Sequence, residues 1–122
     1  MSPPRDKQER DERLDLVLRT IEENPQHWDQ RNWHCGTSHC FAGFAQLLGR
    51  RMSLGTSIDK DHPYVMDGAV YHHPSGDAQE WLGLTEQQCS IFDNGLFDPD
   101  NDIYDLRAAV DQIKQSPYTP PL

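Results

Sequence analysis

The chain has 122 residues, 35% of them apolar, with a mean hydropathy of −0.83 and a formal net charge of −9. That length suits one domain able to bury about two thirds of its unfolded surface, and three cysteines, an odd number, argue against a secreted disulfide framework. No apolar run approaches the ~20 residues of a membrane span, and no apolar signal segment follows the charged N-terminus, so the sequence reads as a soluble, cytoplasmic protein.

The charge is uneven. Residues 1–60 hold nine Lys/Arg and nine Asp/Glu, whereas residues 61–122 hold two and eleven. An acidic half repels phosphate backbones, which argues against direct nucleic-acid binding, and it attracts a protein with a basic surface. It also serves solubility alone.

In chain order, residues 1–5 and 116–122 are proline-rich ends that read as disordered tails around a single helical domain, residues 6–115. Asp6 to Glu23 is predicted helical, with Leu14, Val17, Leu18 and Ile21 as its apolar stripe. Asn24-Pro25 ends it. A connector with one helical turn over 26–30 brings in Trp28 and Trp33, expected to anchor the core with their indole N–H groups partnered. Ser38 or Thr37 is expected to cap a helix over 39–48 that is apolar on nearly every side and therefore buried. Gly43 costs about 1 kcal/mol within it, which points to close approach of another backbone.

Residues 52–76 lack a helical period, but Asp67-Gly68 between short apolar runs predicts a small β-hairpin over 64–71. Helices are then expected from Asp77 to Leu82, from Thr85 to Phe92 with Thr85/Gln88 as a capping box, and from Asp102 to about Gln115. The fold class is mainly α: a compact single-domain bundle of about five helices around the buried helix 39–48.

Two of the three cysteines and two of the six histidines lie between Trp33 and Ala45. Cys40 in the first turn of a helix would feel unpaired N–H groups and the macrodipole, which favour a thiolate. His39 beside it and His34 nearby in sequence complete the ingredients of an activated nucleophile, so a cysteine-dependent hydrolase or transferase is one reading. His34, Cys35, His39 and Cys40 are also zinc-ligand types, which makes a small zinc-stabilised module another. Asp98-Pro99-Asp100-Asn101-Asp102 opens like a calcium loop but lacks its later glycine and glutamate. The third reading is a non-enzymatic interaction or regulatory protein that binds a basic partner surface.

Two resemblances accompany these readings. The run Gln30…Cys35-Gly36-Thr37-Ser38-His39-Cys40-Phe41-Ala42 locally resembles the nucleophile helix of papain-like cysteine peptidases. That resemblance implies Cys40 as nucleophile, Gln30 as oxyanion donor, His62, His72 or His73 on the hairpin segment as base, and Asn94 to orient it. The pattern Trp33-x-Cys35-Gly36-Thr37-x-x-Cys40-x-Ala42-Gly43-x-Ala45, with Trp81-Leu82-Gly83-Leu84-Thr85 later, resembles small uncharacterised proteins of actinobacteria and their phages. It implies a compact helical domain and a bacterial or phage setting, with no activity attached.

Overall fold

The computed structural model describes residues 1–121; Leu122, the last residue of the expected C-terminal tail, lies outside them. Its order is α1 (Lys7–Glu23), a 3-10 turn (Pro25–His27), β1 (His34–Cys35), β2 (Ser38–His39), α2 (Phe41–Gly49), β3 (Val65–Asp67), β4 (Val70–His72), α3 (Pro74–Leu82) and α4 (Ile103–Lys114). Among the described residues there are thus four α-helices rather than five, with two small antiparallel strand pairs, β1–β2 and β3–β4. None of the helices is long and apolar enough to cross a membrane.

The helix expected over 85–92 does not form, although its capping box does. Gln88 N donates to Thr85 Oγ1 and Thr85 N to Gln88 Oε1. One hydrogen-bonded turn is a costly nucleus that needs further apolar contacts to propagate, and Ile91 and Phe92 remain exposed instead. The chain turns back through Asp93 and Asn94, both left-handed (φ 54° and 61°), and Leu96 N takes the Gln88 carbonyl.

α2 carries the core. Phe41, Ala42, Phe44 and Ala45 are fully buried against Leu14, Val17 and Ile21 of α1, Ala78 and Leu82 of α3, and Leu106 and Val110 of α4. It starts two residues later than expected, because Ser38 and His39 pair back onto His34 and Cys35 around Gly36 (φ 61°). Neither Ser38 nor Thr37 caps it; Cys40 holds that position without a side-chain bond. The expected approach at Gly43 is present, since a methyl there would run into the Trp33 carbonyl oxygen. The hairpin turns at Gly68-Ala69, pairing Val65 with His72 and Met66 with Tyr71. Val65 points inward to Leu47 and Ile58, leaving Met66 and Tyr71 exposed.

The two ends, expected as free tails, are docked. The Met1 ammonium lies 3.1 Å from Glu80, and the Tyr118 hydroxyl donates to the Pro4 carbonyl at 2.7 Å. Arg10, buried on the α1 stripe, donates to the carbonyls of Ile113 and Ser116 at the end of α4. A guanidinium has five donors, so one side chain ties α1 to several carbonyls where the chain leaves α4.

Candidate functional site

The β1–β2 turn places His34 and His39 face to face in the interior, both without solvent exposure and with Nδ1 atoms 2.8 Å apart. Their other ring nitrogens are also engaged: His34 Nε2 lies 2.6 Å from Gln46 Oε1, and His39 Nε2 2.9 Å from the Leu54 carbonyl. Gln46, a lone polar residue on the apolar helix α2, donates from Nε2 to the His72 carbonyl (2.9 Å) and to Asp77 Oδ2 (3.0 Å). Arg50 closes the line on Asp77 with two bonds, Nε to Oδ2 at 2.6 Å and Nη2 to Oδ1 at 3.0 Å. A continuous polar path therefore runs from Leu54 through both histidines, Gln46 and Asp77 to Arg50.

Burial acts against charge on each histidine taken singly. It pushes His34 down to about 4; the Gln46 contact opposes the shift, while charge on His39 and His73 adds to it. His39 is lowered for the same reason, against the pull of the Leu54 carbonyl. For Asp77, burial alone would raise the carboxyl, but the Arg50 bonds and the Gln46 amide outweigh it and hold the group below its usual range.

Cys40 does not meet the needs of a nucleophile. It is 2% exposed, and burial pushes its thiol up to about 12, although the N–H groups of Gly43, Ala42 and its own residue pull the other way. The thiolate is the reactive form, so desolvation defeats what the helix start would otherwise give. Gln30 is not an open oxyanion donor either. Its Oε1 accepts from Trp28 Nε1 and from the N–H of Phe41, and its Nε2 donates to the Asp98 carbonyl. It caps α2 from eleven residues upstream and ties that helix to the 96–98 loop.

His73 caps α3, its Nδ1 accepting from Ser75 N, with its ring edge-on to Trp33 and Tyr64. His72 stands 3.7 Å from Asp77. The zinc-ligand set does not converge on one point, because His34 and His39 spend their nitrogens on each other, on Gln46 and on Leu54, while Cys40 is a core residue. Among the described residues no group of three or more His, Cys, Asp or Glu side chains is arranged to hold a metal ion. In the Asp98 turn both carboxylate oxygens accept backbone N–H groups, from Asn94 and Asp100.

Sequence reasoning missed Gln46, Asp77, Arg50 and Arg10. Two of them left a signal: Gln46 interrupts an otherwise apolar helix, and Arg10 continues the Leu14–Val17–Ile21 stripe by one turn.

The outer surface is a second kind of site. Trp33, Phe97, Ile91, Phe92 and Pro99, with Arg31, line a recess of about 210 Å³. Phe92 is 68% exposed at its mouth, and Tyr71, Met66, Val70 and Tyr104 are exposed elsewhere. Of the eleven carboxylates in residues 61–122, only Asp77 and Glu80 sit in ion pairs; among the described residues the other nine have no cation within 4.0 Å. The two cations of that half are turned away from it, Arg107 to Glu22 and Lys114 to Asp15.

Scans of family models, of curated proteins and of solved structures find no match to this chain.

Proposed function

We propose that this protein is a non-enzymatic interaction protein that binds a basic partner surface. The observation that carries the reading is the set of nine unpaired carboxylates in residues 61–122, whose own cations are committed to α1. Like charges held without counter-ions raise the local potential and speed encounter with a basic partner. In sequence two of these carboxylates neighbour apolar residues of the recess beside Trp33: Asp93 follows Phe92, and Asp100 follows Pro99. An apolar side chain flanked by lysine or arginine fits this combination, with the apolar anchor giving affinity and the rim giving rate and selection.

The test is a tryptophan-fluorescence titration with a peptide of one phenylalanine flanked by lysines. Saturable binding is expected, weakening with salt and weakened further by Phe92→Ser and by Asp100→Asn. Absence of binding, or binding indifferent to salt and to both substitutions, overturns the reading. The two alternatives, Cys40 as a nucleophile and a zinc-stabilised module, have no comparable support in the geometry. With iodoacetamide at pH 7, half-buried Cys35 is expected to react before Cys40.

A further inference from the structure

The hydrogen bonds around His34 and His39 fix where their ring protons lie. Gln46 spends both amide protons on the His72 carbonyl and Asp77 Oδ2, so the atom it presents to His34 Nε2 is an acceptor. His34 Nε2 must therefore carry a proton. The Leu54 carbonyl demands the same of His39 Nε2. A neutral imidazole has a single N–H, and both are now used. Two bare Nδ1 lone pairs would then meet at 2.8 Å. Moving either proton to Nδ1 only sets a bare Nε2 against Gln46 Oε1 or the Leu54 carbonyl. Rotating the Gln46 amide sets its oxygen against two acceptors. Every neutral assignment leaves at least one acceptor–acceptor contact at a place without solvent to relieve it.

We infer that the His34–His39 pair is a proton-binding site, holding one proton beyond those of two neutral rings as Nδ1–H⁺···Nδ1. The proton is taken from water on folding, and no bond between heavy atoms changes. Burial opposes charge on either ring; the first extra proton is held against it by the Nδ1–Nδ1 contact, which otherwise has no donor, and a second has no such contact to hold it, so the pair titrates as a unit. The groups facing it from the packed elements are the Asp77 carboxylate of α3, reached through Gln46, and Arg50 after α2, which offsets it. His72 lies beside Asp77, and His73 and His27 are near enough for their charge to lower the pair. A bridging metal ion fits the spacing poorly. Two zinc–nitrogen bonds of about 2.0–2.1 Å at a tetrahedral angle part the nitrogens by about 3.3 Å.

The proton also has a structural consequence. When it leaves at high pH, His39 keeps one proton for its bond to His34 and releases the Leu54 carbonyl. The segment that ends at the Gly36–Ile58 bridge loses that tie.

NMR of the intact protein with ¹⁵N-labelled histidine tests this, because it reads each ring nitrogen as protonated or bare. At pH 7 three protonated nitrogens are expected in the pair, with one exchange-protected proton coupled to both Nδ1 atoms. Two bare Nδ1 atoms at pH 7 overturn the inference, as do resonances that change on treatment with EDTA. Calorimetric refolding in buffers of different ionisation heat gives a second reading. His39→Gln is expected to take up about one proton fewer than the unmodified chain at pH 7.5, and equal uptake overturns the inference. If that variant does not fold, the NMR of the unmodified chain decides.

Discussion

The polar path from Leu54 to Arg50 and the acidic stretch of residues 86–105 are both hydrophilic, yet they differ in whether their charges have counter-ions. Along the path every side chain is bonded within the protein, and the path is closed to solvent over its central part. On the surface, carboxylates lie without cations beside apolar side chains without cover. A partnered polar group specifies the fold, while an unpartnered one is available to another molecule. The sequence composition reports only the sum of the two.

The contrast breaks most deeply at Arg50. Arg50→Met leaves the Asp77 carboxylate buried and without its cation, and a loss of about 3 kcal/mol is expected in urea unfolding. The same variant should flatten the acid limb of the stability curve. Asp77 is held below its unfolded value, so its contribution is present above about pH 4 and is lost as pH falls through the folded value. A variant with unchanged stability and an unchanged acid limb would mean that the path is ornament.

Gly43→Ala comes next. The added methyl meets the Trp33 carbonyl between β1 and α2, and about 2 kcal/mol is expected from thermal unfolding. Cys40 gives a smaller effect with a distinctive pH dependence. Its folded value, about 12, lies above the unfolded 9.0, so the thiol stabilises the fold below pH 9 and that stability is lost as pH rises from 9 toward 12. The loss at pH 10 is on the order of 1 kcal/mol. Cys40→Ala, less stable at neutral pH because of its cavity, should lack this alkaline limb.

On the acidic face the expected effects on folding nearly vanish. Thr85→Ala and Phe92→Ser should each shift stability by less than about 0.5 kcal/mol, the first because its capping box heads no helix. Phe92→Ser should still weaken peptide binding. A large loss of stability from either would move the 85–95 segment into the structural class.

The same distinction explains what could be read from the residues alone. α1, α3 and α4 announce themselves through short-range signals: the Leu14–Ile21 stripe, the Gly83 stop (φ 65°) and the Asp102/Asp105 capping box. Thr85/Gln88 is an equally good local signal that fails, because no apolar contacts follow it to carry the helix on. The site is less legible, for a physical reason. Cys40 at a helix start favours a thiolate only if solvent or a cation is near, and the burial that removes both is set by α1 and α3, distant in sequence. Gln46 paired with His34, and Asp77 with Arg50, are likewise long-range facts.

Gln30 has a consequence for how the chain folds. α2 has nine residues, no capping side chain of its own, and its first N–H is satisfied by a side chain eleven positions earlier. Isolated helices of this length are marginal in water. A peptide of residues 38–50 should therefore be coil by circular dichroism. The element at the centre of the protein would then be the one least able to form first, its nucleation waiting on the loop that delivers Gln30.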